Sequence, residues 1–193
     1  GSDDEIFEPA LGRLSKAGIL PPQIGWFENR ITSDIDAVVL GMHARADNPE
    51  LLRAKSLAIP VYSFPEYIYQ QSINKKRVVI AGSHGKTSTT AMIMHVLKYW
   101  KMDFDYMVGA QLEGFDLMVR LSDAPVIILE GDEYPDGAIN RIPKFLFYKA
   151  DIGLITGIAW DHVNIFPTYE EYVDQFKKFV LSIQPDGKLI FNR

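Results

Sequence analysis

The chain has 193 residues, 47% of them apolar, no cysteine and a net charge of −5. That is enough apolar material to bury a real core in one or two domains, and it excludes disulfides, thiolate metal sites and cysteine nucleophiles. Lysine and arginine are scattered rather than massed, so no nucleic-acid partner is expected; no apolar run approaches a membrane span, and a soluble, cytoplasmic protein is the expectation.

Residues 9–17 read as a short helix, with Pro9 near its start and Gly18 as a stop signal. Asp36-Ala37-Val38-Val39-Leu40-Gly41 is nearly all apolar, the form expected of a strand covered on both faces in a parallel sheet. Asn48-Pro49-Glu50 supplies a cap, a first-turn proline and a first-turn acid for a helix over 49–57. Ile59–Tyr62 is a strand candidate, and Pro65 opens a helix to about Gln71. This alternation of strands and helices is an α/β signature. The polar, basic stretch Ser72–Arg77 then separates two apolar segments and places a domain boundary after residue 74.

Val78-Val79-Ile80-Ala81 leads into Gly82-Ser83-His84-Gly85-Lys86-Thr87-Ser88, and a helical pattern follows to about Lys101. Strand, glycine loop and helix together form a phosphate-binding arrangement: backbone N–H groups face an anion, Lys86 adds a point charge and the Thr87 hydroxyl can ligate magnesium. The general spacing G-x-x-x-x-G-K-[ST] asks for glycine at Ile80, whereas the nearer glycine here is Gly82. In the helix, Ile93, Val96, Leu97 and Trp100 form a stripe read as core packing, and His95 lies off it without a role.

Phe104–Gly109 reads as a further extended piece. Ala124–Leu129 is a buried strand that ends in Glu130-Gly131-Asp132-Glu133. Ligands in open α/β sheets bind at the carboxyl ends of strands, so these acids could face the phosphates. Ile152–Gly157 repeats the form and is followed by Trp160-Asp161-His162. Thr168-Tyr169-Glu170-Glu171 is a capping box opening a helix to about Ile183, whose apolar face includes Tyr172, Val173, Phe176, Phe179 and Val180. Lys188–Phe191 is a last strand. Magnesium prefers oxygen, so Thr87 and Glu130 are its natural ligands, while the carboxylates taken alone could equally cap helices.

Taken together, Gly82–Thr90, Glu130–Glu133 and Trp160–His162 resemble, in order and spacing, the ATP-dependent Mur ligase family of peptidoglycan synthesis. Gly1-Ser2-Asp3 and Asp47–Glu50 are similar to segments of that family's nucleotide-sugar-binding domain. The resemblance implies an α/β chain of mostly parallel sheets with flanking helices: a partial Rossmann-like domain over residues 1–74, then a partial phosphate-loop domain over 75–193. It implies ATP and Mg2+ as cofactors, and UDP-N-acetylmuramate with an amino acid or short peptide as partners. The reaction would activate the UDP-N-acetylmuramate carboxylate as an acyl phosphate and join it to an amine.

On matching positions, Gly82, Ser83, His84, Gly85, Lys86, Thr87 and Ser88 would hold the nucleotide. Thr87 and Glu130 would bind magnesium, and His162 a second magnesium. Lys86, Glu130 and His162 would carry catalysis, with His84, Asp132 and Glu133 as substrate contacts. Asp132-Glu133-Tyr134 and Arg141-Ile142-Pro143-Lys144-Phe145 look more like the ligases that add the peptide L-alanyl-γ-D-glutamyl-meso-diaminopimelate than those that add L-alanine. The family's opening glycine-rich loop and its acceptor-binding domain have no counterpart here, which makes the chain a fragment expected not to complete the reaction. A phosphate-loop NTPase outside the family and a non-catalytic nucleotide-binding module are the alternatives.

Overall fold

The computed structural model describes residues 1–136 and 142–192; Arg141, part of the resemblance above, lies outside them. The chain divides into two compact units, Gly1–Tyr62 and Ser63–Arg193.

The first unit contains α1 (Ala10–Lys16), a 3-10 turn (Glu28–Arg30), β1 (Val38–Leu40) and α2 (Pro49–Ser56), and β1 pairs with β2 (Val61–Ser63) in a two-stranded sheet. α2 starts where expected, because the Asn48 side chain accepts from the backbone N–H groups of Glu50 and Leu51. Ile31, Ala54 and Ile59 form a small core with Ile35, Val38, Leu57 and Val61 against it. The expectation that β1 is covered on both faces fails: Val39 is 41% exposed. Side chains alternate across a strand, so with cover on a single face the central valine of a three-residue strand points to solvent.

The second unit runs α3 (Phe64–Gln70), β3 (Lys76–Ala81), α4 (Lys86–Tyr99), β4 (Asp105–Met107), β5 (Val119–Arg120), β6 (Val126–Glu130), α5 (Lys144–Phe147), β7 (Ile152–Ile155), α6 (Tyr169–Ser182) and β8 (Lys188–Phe191). Six strands form one sheet in the order β5-β4-β6-β3-β7-β8, parallel except for β5. It is a mostly parallel α/β sheet with flanking helices. From β3 the chain first builds toward β4 and β6 and then crosses to β7, so order reverses at β3, where open sheets bind their ligands.

Alternation explains the apolar runs of β3 and β6. Val79, Ala81, Ile127 and Leu129 enter one buried cluster with Phe145, Tyr172, Phe176 and Phe179, while Ile80 and Ile128 enter the other with Met94, Phe104 and Tyr106.

The sequence places its boundary after residue 74 by charge, whereas packing divides the units at Tyr62 and Ser63. Ile68 of α3 belongs to the sheet's own core, and Ser72 is fully buried. Lys75 forms a buried ion pair with Asp105 at 2.7 Å. α3 is fixed by a capping box in which Ser63 and Glu66 each satisfy the other's backbone N–H.

The stripe expected to bury α4 is corrected as well. Val96 and Trp100 are 52% and 72% exposed, and the helix instead buries Thr90 and Met94, with Ile93 and Leu97 packed alongside. His95 is exposed.

Candidate functional site

The loop after β3 takes its shape from two glycines with positive φ. Gly82 has φ +133°, and a Cβ there would lie 2.1 Å from Thr156 Oγ1 and 3.0 Å from the Gly157 carbonyl oxygen. Only glycine combines that dihedral with that approach. Gly85 is left-handed, at φ 79°, and caps α4 without any side-chain acceptor. The first N–H groups of a 14-residue helix therefore meet the loop with positive partial charge and no side-chain cap.

β7 braces the loop. Ser83 N donates to the Gly157 carbonyl at 3.0 Å, and the Thr156 hydroxyl donates to the His84 carbonyl at 2.6 Å. Thr156 was not singled out in the sequence.

Lys86 Nζ folds back over the loop, donating to the carbonyls of Gly82 (2.6 Å) and Ser83 (3.4 Å) and to Glu133 Oε2 (3.0 Å). Thr87, one residue on, donates its hydroxyl to Glu130 Oε1 at 2.7 Å, and the other oxygen of Glu130 accepts from Gly109 N at 2.9 Å. Two oxygens bound to one magnesium at 2.0–2.1 Å in adjacent octahedral positions lie about 2.9 Å apart. Thr87 and Glu130 therefore fit a hard, oxygen-preferring cation.

Glu133 is the third acid of the stretch, after Glu130 and Asp132, and its side chain is 1% exposed. Besides Lys86 it meets the Tyr172 hydroxyl at 2.9 Å and His162 Nε2 at 3.5 Å. His162 has φ 55°, a left-handed conformation held by the carbonyl of His162 accepting from Ile165 and Phe166 and by its own N–H donating to Asp161 Oδ1 at 2.7 Å. The Tyr134 ring packs edge-on against the imidazole, with centroids 5.2 Å apart. Asp161 is held below the usual carboxylate range, chiefly by that same His162 N–H.

Of the residues singled out in the sequence, Lys86, Glu133 and His162 are brought together, and Thr87 and Glu130 form a second pair. Gly82, Ser83 and Gly85 shape the loop. His84 is exposed and contributes its carbonyl, and Ser88 is exposed on the first turn of α4. Asp132 turns away from this group to pair with Lys144 at 2.9 Å.

Tyr172 was read as a core residue of α6. Its ring is fully buried, but its hydroxyl reaches both Ser83 Oγ (2.7 Å) and Glu133. Burial pushes the Tyr172 phenol far above its ordinary value, with the Glu133 charge adding to that, so it stays protonated.

Residues 80–193 match the family model described as Mur ligase middle domain. The chain is 32% identical over 190 residues to a UDP-N-acetylmuramate–L-alanine ligase of Carboxydothermus hydrogenoformans, covering 98% of this chain and 39% of that protein. It is 34% identical over 191 residues to the like-named enzyme of Clostridium kluyveri, covering 98% of this chain and 40% of the enzyme. It thus spans about two fifths of the length of the curated relatives it matches.

Among solved structures, the UDP-N-acetylmuramate:L-alanyl-gamma-D-glutamyl-meso-diaminopimelate ligase of Neisseria meningitides superimposes with a TM-score of 0.86 at 24% identity, over all of this chain and 62% of that one. The UDP-N-acetylmuramate-alanine ligase of Thermotoga maritima gives 0.73 at 25% identity, over 99% and 42%. A glycine loop, an acid-ended strand and a histidine loop at the carboxyl ends of a parallel sheet's central strands are thus accompanied by a family match over more than half of the residues, and the chain belongs to the Mur ligase family.

Proposed function

We propose that this chain carries the magnesium–ATP chemistry of an amide ligase that activates the carboxylate of UDP-N-acetylmuramate as an acyl phosphate and passes it to an amine. The observation that carries the proposal is the convergence of Lys86, Glu133 and His162 beside an uncapped helix N-terminus, next to the Thr87–Glu130 pair.

Phosphoryl transfer needs positioning and charge neutralisation more than covalent help. Lys86 would exchange its loop carbonyls for phosphate oxygens, with the loop N–H groups holding the same oxygens. Thr87 and Glu130 would ligate magnesium, which when bound neutralises charge on the phosphates. Glu133 and His162 stand where a second cation, or the carboxylate being phosphorylated, would be oriented. The first unit holds a cavity of about 490 Å³ lined by Trp26, Arg30, Leu40, Met42 and His43, which would take part of the sugar nucleotide.

L-alanine is the proposed amine, supported by the names of the curated relatives. Addition of the tripeptide is the second reading, favoured by the Asp132-Glu133-Tyr134 stretch and Lys144-Phe145. The test supplies a protein that carries this chain at its relatives' length with UDP-N-acetylmuramate, magnesium, ATP and either amine, and follows phosphate release and product mass. Phosphate release that requires both the sugar nucleotide and one amine is expected. ATP hydrolysis indifferent to UDP-N-acetylmuramate would overturn the proposal.

A further inference from the structure

Tyr172 occupies an unusual position for a core aromatic. Its ring packs against Phe166 and Phe176, with centroids 5.5 and 5.3 Å away, inside the cluster that covers one face of the sheet. Packing alone would be satisfied by phenylalanine, the residue at the next two buried positions of the same helix, Phe176 and Phe179. The hydroxyl is what differs, and it is placed between the phosphate loop and the acid stretch, 2.7 Å from Ser83 Oγ and 2.9 Å from Glu133 Oε1.

Proton accounting fixes the direction of this chain. Ser83 Oγ accepts from Ala159 N at 2.9 Å, and the carboxylate of Glu133 can only accept. Each proton finds an acceptor when Ala159 N donates to Ser83, Ser83 to Tyr172 and Tyr172 to Glu133. If Tyr172 donated to Ser83 instead, the Ser83 proton would have no acceptor among these contacts. The Oε1 atom of Glu133 is thus anchored from the core side, and its Oε2 atom is left facing Lys86.

We infer that Tyr172 is a positioning residue for metal and phosphate binding: its hydroxyl fixes the Glu133 carboxylate and, through Ser83, ties the phosphate loop to α6. The inference rests on the magnesium–ATP reading above, though not on which amine is joined. Partners that orient a metal-binding or phosphate-facing carboxylate from behind typically change metal affinity 10- to 100-fold when removed.

The experiment uses Tyr172→Phe, which keeps the ring and deletes the hydroxyl. Calorimetric titration of ATP at a series of magnesium concentrations gives the magnesium half-saturation for wild type, Tyr172→Phe, Glu133→Gln and the double variant, with thermal unfolding of each in parallel. The expected result is a half-saturation raised roughly 10-fold or more in Tyr172→Phe. The double variant should be scarcely worse than Glu133→Gln alone, because both substitutions break one connection. An unchanged half-saturation in a Tyr172→Phe protein, whatever its melting temperature, would reduce Tyr172 to a core residue, and so would full additivity with Glu133→Gln. Wild-type protein that binds ATP with the expected magnesium dependence but forms no amide would count against the ligase reading and leave this test intact.

Discussion

The Thr87 hydroxyl and the Glu130 carboxylate meet at 2.7 Å although 43 residues separate them in the chain. One stands at the start of α4 and the other at the end of β6, neighbouring elements around the point where sheet order reverses. Thr87→Val and Glu130→Gln are therefore expected to raise the magnesium concentration needed for ATP binding by roughly 10-fold or more, while Thr87→Ser keeps it near wild type. Calorimetry with and without magnesium checks this. Loss of stability alone, with metal dependence intact, would return Glu130 to a structural role.

Lys86 is held by two loop carbonyls and by Glu133, so its ammonium is placed before any phosphate arrives. Lys86→Met is expected to weaken ATP binding by roughly 10- to 100-fold, the range for losing a charge-assisted hydrogen bond to an anion. An unchanged dissociation constant would argue against the loop as the phosphate site.

Gly82→Ala combines a left-handed φ with a contact that backbone atoms cannot yield, since Thr156 N and the Gly157 carbonyl both lie 3.0 Å from the added carbon. It should lower stability by more than about 2 kcal/mol and abolish ATP binding. Urea unfolding monitored by circular dichroism measures the first effect.

Lys75 and Asp105 form a buried pair at the amino ends of β3 and β4, the opposite end of the strands from the site, and Asp105 also accepts from Ser122 N and Oγ. Burial pulls the Asp105 carboxyl upward, but the Lys75 ammonium and the Ser122 donors outweigh it and hold the group below its ordinary 3.8. A depressed folded-state value means that this stabilisation is complete above that pH and is lost as pH falls through the lower, folded value. Lys75→Met should lower stability by about 3–5 kcal/mol at pH 7, with the gap to wild type narrowing below pH 3.8. Thermal melts from pH 7 to pH 3 test the sign. A gap that widens on acidification would refute it.

The strand, glycine loop and helix around Lys86 were legible because their signal is backbone chemistry: two glycines between an apolar β-branched run and a helical pattern mark where the chain must turn. Glu130 was legible as a charge abruptly ending an apolar run. Tyr172 was not, because its spacing with Phe176 and Phe179 encodes only which way the ring points, and periodicity is silent about where a hydroxyl ends. Nor could spacing choose the face of α4, which carries two apolar rows; which row is buried is decided by the sheet beneath it, and Val96 and Trp100 lost to Met94. β5 and α5, of two and four residues, are too short to carry a period at all.

Gly131 sits between the two acids that serve separate groups, and a carbon added there would come within 2.7 Å of Val79 Cγ1 and 3.0 Å of Phe145 Cβ. Its N–H is bonded to the Ile80 carbonyl at 2.8 Å. The main chain is thereby clamped against β3 at the point where it must deliver the Glu130 carboxylate to Thr87 and, three residues on, the Glu133 carboxylate to Lys86. A single smallest residue keeps both arms of this bracket in register, so enlarging it would misalign both acid-lined halves of the cleft together while leaving every charged side chain in the sequence unchanged.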